Sequence, residues 1–175
     1  MTEQDKTLKA LQTAIQMEID GKQYYIQASQ ESGNEMGKKL FQSLAVEEDI
    51  HRQKFEQIYE GLRNHKAWPE VDYKPQGGQG LRTIFAVASE KLGANVAAPV
   101  SELEAIQMAM DMENKTFDFY KAQSASADQD SERDFFNGVA NEEREHHLVL
   151  LDYFSYLKDP TGWFVSKERS SLDGG

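Results

Sequence analysis

The sequence predicts an all-α fold, a four-helix bundle made of two similar helical hairpins that a long crossover joins. Three observations lead to this prediction. Apolar residues recur at spacings of three and four along four long segments, and no segment shows a strand pattern of comparable strength. Residues 8–58 also repeat at a constant offset of 95 positions without a gap. We therefore expect an approximate two-fold axis to relate the two hairpins.

The first hairpin contains two long amphipathic helices. The first helix is predicted over 4–31, where Leu8 and Leu11 begin the apolar stripe. A glycine breaks this helix, and Asn34 can cap the second helix, which is predicted over 34–63. Both predicted helices are long enough to span the length of a small bundle.

The second hairpin repeats this design. The third helix is predicted over 101–125, where Ser101 and Glu104 have the spacing of a capping box. The fourth helix is predicted over 131–158 and is expected to end at the proline that follows Asp159.

The connection between the hairpins, over 64–100, is too long for a simple turn. It is expected to run back along the bundle and to contain a short helix near 81–92. Residues 1–160 are thus predicted to form one four-helix bundle, followed by a C-terminal tail over 161–175 without a fifth helix. Trp163 in this tail is expected to pack on the bundle or to contact a second copy of the chain.

Composition restricts the partners and the compartment. The 175 residues include 30 acidic and 19 basic side chains, a net charge of -11, which disfavours nucleic acid and anionic membranes as partners. The absence of cysteine excludes disulfides, thiolate zinc sites and cysteine-ligated iron–sulfur centres within this sequence. No signal peptide and no membrane-spanning stretch is evident, so we expect a cytoplasmic protein without a membrane partner.

Each long helix has a stripe of apolar residues that faces the core, which we call its seam. Polar residues interrupt the seam of every long helix at the same level of the bundle. Helices two and four each contribute a Glu and a His three residues apart, which places both on one helix face. Helices one and three each contribute one further Glu. The inward-facing residues are Glu18, Glu48, His51, Glu113, Glu143 and His146.

Burying four carboxylates and two imidazoles without compensation would cost several kcal/mol per charge, on the order of the values known for isolated buried ions. Two divalent cations would balance the four carboxylates. Mixed carboxylate and imidazole ligands suit iron, manganese or zinc, and this arrangement is the known ligand pattern of ferritin-like dimetal proteins. The alternative is a polar layer that only specifies how the helices pair.

Further roles are expected for the residues next to this layer. Tyr25 and Tyr120 each follow a seam Glu by two turns, where they can either pack in the core or hydrogen-bond a ligand and relay electrons. Met17 and Met112 lie beside the seam and are interpreted as core filler. Off the seam we expect surface residues, namely Glu47, Asp49, Glu142, Glu145, His147 and, in the crossover, His65.

The six-residue pattern resembles the ferritin-like diiron carboxylate superfamily, and within it the rubrerythrin-like proteins, over about residues 5–158. The resemblance implies a centre of two iron ions, for which manganese or zinc could substitute. It further implies that Glu48 and Glu143 bridge the ions and that the terminal ligands are, in some pairing, Glu18, His51, Glu113 and His146.

The same resemblance implies a non-haem diiron oxidoreductase that reduces hydrogen peroxide or dioxygen, takes electrons from a separate donor protein and protects against oxidative stress. Two departures keep alternatives open. Met110 stands where typical rubrerythrins have a further Glu, and without cysteine this sequence is expected to be a member that lacks the rubredoxin domain. The alternatives are a ferroxidase or iron-handling protein, as in the symmetric bacterioferritin-type site, and a non-catalytic metal-binding protein. A homodimer would also fit this type of bundle.

Overall fold

A computed structural model of the chain describes residues 1–65, 67–75, 77–96 and 98–173. Within these ranges every regular element is a helix, which confirms the all-α prediction. The six helices of the described residues are α1 (Glu3–Glu31), α2 (Glu35–His65), α3 (Gln79–Leu92), α4 (Val100–Ser126), α5 (Asp130–Lys158) and α6 (Pro160–Asp173).

The four long helices pair as two hairpins. α1 packs along α2, and α4 packs along α5, whereas α1 and α4 contact each other only sparsely. The crossover returns the chain along the bundle, and its helix α3 packs against α2 and α5. The architecture is the ferritin-like helical bundle that the sequence predicted.

The buried side chains form two apolar clusters with a polar layer between them. One cluster contains Tyr25 and Phe41, and the other contains Leu11 and Phe55. Along α2, Phe41 and Phe55 bracket the buried Glu48 and His51, so the polar layer lies where the two clusters meet. Apolar packing thus shields this layer from water at both of its ends along the bundle.

A buried carboxylate ties the α1–α2 turn to α4. Glu102 accepts hydrogen bonds from the hydroxyls of Ser32 at 2.6 Å and Tyr153 at 2.7 Å, and from the backbone N–H of Gly33 at 3.2 Å. The predicted capping box at Ser101 is wrong. α4 begins at Val100 without a side-chain cap, and the acidic residue of this turn is used across the bundle instead.

The prediction of no helix after Asp159 is wrong, because α6 begins immediately at Pro160. Asp159 accepts a hydrogen bond from the backbone N–H of Gly162 at 3.0 Å, as an N-cap does, and proline is favoured at the first position of a helix. The residues that end α5 therefore also begin α6. Trp163 packs against Phe85 and Tyr156, as the sequence analysis expected.

The crossover predicted over 64–100 includes three residues that lie outside the described residues, Lys66, Gln76 and Ala97, and the last two residues of the tail, Gly174 and Gly175, lie outside them as well. His65, expected in the crossover, is the last residue of α2 and is exposed. Gly77 and Gly78 have positive φ angles of 61° and 70°, which form the turn that leads into α3.

Candidate metal centre

The structure brings the six inward-facing residues of the sequence analysis into one buried layer. α2 and α5 each present a Glu and a His three residues apart on one face, and α1 and α4 each present one Glu. None of these residues is more than 2% exposed. The layer consists of Glu18, Glu48, His51, Glu113, Glu143 and His146.

These side chains form two overlapping groups, each of which could hold one metal ion. Within a group, one ligand atom from each residue lies within 4.8 Å of the others. The first group is Glu18, Glu48, His51 and Glu143, and the second is Glu48, Glu113, Glu143 and His146. Glu48 and Glu143 belong to both groups, so each can contact both metal positions.

His51 directs its two ring nitrogens at different carboxylates. Its Nδ1 lies 3.1 Å from Oε1 of Glu143 and 3.5 Å from Oε2 of Glu18. On the other side of the ring, Nε2 lies 3.7 Å from Oε2 of Glu142 and 3.3 Å from the hydroxyl of Tyr73. His51 therefore faces the layer with Nδ1 and is held from outside at Nε2.

His146 occupies the equivalent position in the second hairpin. Its Nδ1 lies 3.4 Å from Oε1 of Glu48 and 3.5 Å from Oε1 of Glu113. The rings of His51 and His146 are stacked, with centroids 5.7 Å apart and an angle of 13° between their planes. The two halves of the centre thus share one geometry, as the sequence repeat predicts.

The six residues fit a pair of metal ions, and the observation that tests this fit is a set of unpaired atoms. Within the described residues, one buried side-chain atom of each of the six makes no hydrogen bond of acceptable geometry, although Nδ1 of His51 lies 3.1 Å from Oε1 of Glu143, and no other residue contributes such an atom. An unpaired buried polar atom costs about 1–3 kcal/mol, and more when it is charged. Six in one layer are therefore a strong sign of a missing ligand, and their oxygen and imidazole donors suit iron, manganese or zinc. The atoms are Oε2 of Glu18, Oε1 of Glu48, Nδ1 of His51, Oε2 of Glu113, Oε1 of Glu143 and Nδ1 of His146.

The pKa values of Glu48 and Glu143 also indicate that the negative charge of the layer is not fully balanced. Burial, together with the negative charges of Glu143, Glu18 and Glu113, raises the pKa of Glu48 well above its usual value. Burial and the charge of Glu113 raise the pKa of Glu143 to about 6. In the absence of a cation, burial and the neighbouring negative charges therefore favour the protonated forms of Glu48 and Glu143.

The histidines respond to the same carboxylates. Burial lowers the pKa of His51, but the charge of Glu18 and the contacts with Glu142 and Glu143 outweigh burial, and the pKa lies well above its usual value. His146 behaves in the same way, with Glu113 as its main carboxylate. Both imidazoles thus carry protons that a metal ion would have to displace.

Two tyrosines hydrogen-bond Glu113 and Glu18 across the bundle. Tyr25 of α1 donates to Oε1 of Glu113 on α4, and Tyr120 of α4 donates to Oε1 of Glu18 on α1. Both rings are fully buried, and burial and the adjacent carboxylates raise the pKa of both phenols well above the usual value. Each tyrosine is therefore a neutral donor that packs in the core and orients a carboxylate.

The two carboxylates shared by both groups differ in their surroundings. The hydroxyl of Thr116 donates to Oε2 of Glu143 at 2.8 Å. The equivalent position beside Glu48 is Gly21, where an added Cβ would lie 2.5 Å from Oε2 of Glu48. The surroundings of the two carboxylates are therefore asymmetric, because Glu143 accepts a hydrogen bond from Thr116 whereas Glu48 lies close against the backbone of Gly21.

Glu142 was expected on the surface, and this expectation is wrong. Its side chain is buried, accepts a hydrogen bond from the backbone N–H of Gly77 at 3.0 Å and faces His51. Burial raises the pKa of Glu142, but the contacts with His51 and Gly77 lower it overall. Its repeat partner Glu47 is partly buried and lies with Glu142 and His146 in a third group of possible ligands.

Sequence reasoning also missed Tyr73, which reaches His51 from the crossover. Its position could not be inferred, because the crossover has no repeat partner.

The other residues that were expected on the surface differ in how exposed they are. Asp49, Glu145 and His147 are only partly exposed, and Asp49 and Glu145 pair with Lys22 and Arg82.

A small cavity opens beside the layer between α1 and α4, where these helices are loosely packed. It has a volume of about 150 Å³. Three of the six layer residues form its inner wall, namely Glu48, Glu113 and Glu143, and Met17 and Met112 line it as well. The layer is thus reachable by a small molecule from one side of the bundle.

The family model described as Rubrerythrin matches residues 9–154. The chain belongs to the rubrerythrin family. The match includes all six layer residues of this rubrerythrin domain, from Glu18 to His146. No curated protein and no solved structure gives a significant match. No helix in the described part of the rubrerythrin chain is both long and apolar enough to cross a membrane.

Met110 marks the difference from typical rubrerythrins noted in the sequence. It lies on α4 one turn before Glu113 and is buried in the apolar cluster that contains Tyr25. Its side chain therefore offers packing rather than a further carboxylate at this place.

Proposed function

We propose that this rubrerythrin binds two iron ions, with Glu48 and Glu143 as bridging ligands. Glu18 with His51 and Glu113 with His146 would complete the two positions. The six unpaired atoms, one on each of these residues and on no other described residue, carry this proposal. The two overlapping ligand groups support the bridging roles.

When bound, the iron pair supplies the redox chemistry and open coordination positions for an oxidant. The chain contributes orientation and exclusion of water. Tyr25 and Tyr120 hold the terminal carboxylates, Glu142 and Tyr73 hold His51, and apolar packing surrounds the layer. These contacts let the ligand set form with little reorganisation.

The proposed reaction is the reduction of hydrogen peroxide or dioxygen with electrons from a separate donor protein, in the cytoplasm, as a defence against oxidants. The cavity of about 150 Å³ supports a small oxidant as the substrate, because it reaches three of the proposed ligands and is too small for a large organic molecule. The family membership supports the same class of chemistry.

A ferroxidase, for which iron(II) is itself the substrate, is the second candidate. The specific observation in its favour is Met110, which leaves the ligand set with four carboxylates and two imidazoles in near symmetry. Release of iron during turnover would distinguish this candidate, because an oxidoreductase retains its iron. A non-catalytic metal-binding protein would retain iron without consuming oxidant.

The test begins with the metal content of anaerobically purified protein and continues with iron(II) loading. We expect two irons per chain, one for each ligand group, and peroxide consumption that continues as long as a reductant is added. Glu143→Ala should lose iron and activity together, because it removes a ligand from both positions. Iron that is retained without peroxide or dioxygen consumption would contradict the oxidoreductase.

Glu145→Gln is the matched control for Glu143→Ala. It removes one carboxylate charge from the same helix, and Glu145 pairs with Arg82 outside the layer. It should therefore bind iron and consume peroxide as the unmodified protein does. Equal losses in both variants would show that general charge or folding, not ligation, explains the effect.

A further inference from the structure

Two methionines in equivalent positions line the cavity beside the proposed iron centre. Met17 on α1 and Met112 on α4 are related by the sequence repeat, and both are only partly buried. Glu48, Glu113 and Glu143 form part of the same wall. A molecule in the cavity therefore lies among side chains that include both methionines and three residues of the layer.

Met17 differs from the core packing that was expected, whereas Met112 packs against the apolar cluster as expected but also lines the cavity. The fully buried methionines of the described residues, Met36 and Met110, fill the apolar cluster. Met112 lies at the edge of that cluster and Met17 faces the cavity. A thioether is readily oxidised to the sulfoxide when an oxidant can reach the sulfur.

We propose that Met17 and Met112 form an oxidation site for hydrogen peroxide that enters the cavity and is not consumed at the metal centre. The thioether sulfur attacks one peroxide oxygen, and the O–O bond breaks as the S–O bond forms. The proton of the attacked oxygen passes to the leaving hydroxide, so the products are a sulfoxide and water. The sulfur loses the two electrons that the peroxide gains. Neither metal nor donor protein takes part in this step.

The inference rests on the proposed function, because peroxide in the cavity is the substrate of that function. The proposed oxidation site adds a second reaction that hydrogen peroxide can undergo in the cavity. When the electron donor is exhausted, the two thioethers reduce peroxide beside the ligand carboxylates. Sulfoxide at these two positions would thus record oxidant that reached the centre without being consumed there.

The test uses zinc-loaded protein, since zinc binds the same donor types but has no redox chemistry. Peroxide is added and sulfoxide at each methionine is followed over time by peptide mass spectrometry. Met108 is the matched control, because it lies on the same helix as Met112 and is 58% exposed. If solvent exposure alone determines the rate of oxidation, Met108 is oxidised first. We expect Met17 and Met112 to be oxidised several-fold faster than Met108.

Oxidation of Met108 as fast as Met17 and Met112 would overturn the inference. Peroxide consumption by iron-loaded protein with added reductant is measured separately. Normal consumption with no preference at Met17 and Met112 refutes the oxidation site and leaves the proposed function intact. Preferential oxidation without peroxide consumption by the iron form supports the oxidation site and refutes the proposed function. Replacing both methionines by Leu should abolish the early gain of oxygen mass in the zinc form.

Discussion

At the scale of single residues, Tyr25 and Tyr120 show how the two hairpins depend on each other. Each phenol donates to a layer carboxylate of the opposite hairpin, Glu113 or Glu18, so neither half of the layer is complete alone. Hydrogen bonds from a neighbouring side chain to a metal ligand fix the orientation of that ligand and raise metal affinity. The tyrosines therefore link the packing of the core to the properties of the centre.

Tyr120→Phe should weaken metal binding by about 10- to 100-fold, because Oε1 of Glu18 loses its donor. Tyr25→Phe should have a similar effect through Glu113. Metal affinity is measured by competition with a chelator. Tyr24→Phe is the control, since the hydroxyl of Tyr24 donates to the backbone oxygen of Ala105 at 2.6 Å, away from the layer. Unchanged affinity in the first two variants would restrict these tyrosines to core packing.

At the scale of helices, the beginning of α2 depends on the absence of a side chain at Gly37. Asn34 caps this helix by accepting from the backbone N–H of Gly37 at 2.8 Å. An added Cβ at Gly37 would lie 2.5 Å from Oε1 of Glu102 and 2.6 Å from the hydroxyl of Tyr153. The close approach of α2 to the Glu102 hydrogen bonds therefore requires glycine here.

Gly37→Ala should lower the free energy of unfolding by about 1–3 kcal/mol, because the crowding outweighs the better helix propensity of alanine. Urea unfolding followed by circular dichroism measures the change. Gly80→Ala is the matched control, since Gly80 is also helical and has no atom within 4 Å of an added Cβ. The control should be neutral or slightly stabilising. A stabilising effect of Gly37→Ala as well would show that the turn relaxes freely.

At the scale of the whole molecule, the bundle holds a charged layer that destabilises it when no cation is bound. The unfolded chain exposes these carboxylates and imidazoles to water, whereas folding favours the protonated forms of Glu48, His51, Glu143 and His146. The pKa of Glu143 rises from 4.5 to about 6 on folding, and the pKa values of Glu48, His51 and His146 also rise. Stability and pH are therefore linked through this layer.

The metal-free protein should lose stability as the pH rises from 4.5 to 6 and beyond. A group with a raised folded pKa contributes its stability below the unfolded pKa and loses it as the pH passes the folded pKa. Glu143 alone accounts for about 2 kcal/mol, the equivalent of its pKa shift. Glu48, His51 and His146 act in the same direction. The pKa of Glu142, which lies next to the layer, is lowered and acts in the opposite direction.

Urea unfolding of the metal-free and the metal-loaded protein at several pH values measures this linkage. Metal loading should abolish the loss at neutral pH, since bound cations replace the protons and stabilise only the folded chain. A metal-free protein that gains stability over the same pH range would contradict the assigned directions. Such a result would mean that the layer is hydrated or paired in a way that this structure does not contain.

Local patterns in the sequence determined most of the architecture and the composition of the layer. Apolar spacing places the long helices, because a helix repeats every 3.6 residues whatever surrounds it. The constant offset of 95 positions and the Glu–His spacing bring Glu48, His51, Glu143 and His146 to one level. These relations hold within single helices or between identical units, so they can be read without a structure.

Only the tertiary structure decided the contacts between residues that no local rule relates. Glu142 lies one position off the seam, yet it is buried because Gly77 and His51 supply its partners. Tyr73 reaches His51 from a crossover without a repeat partner, and α6 begins where the sequence suggested only an end. The physical reason is the same in each case. Burial and pairing depend on which distant segments pack together, and that packing is settled by the whole chain rather than by any one segment.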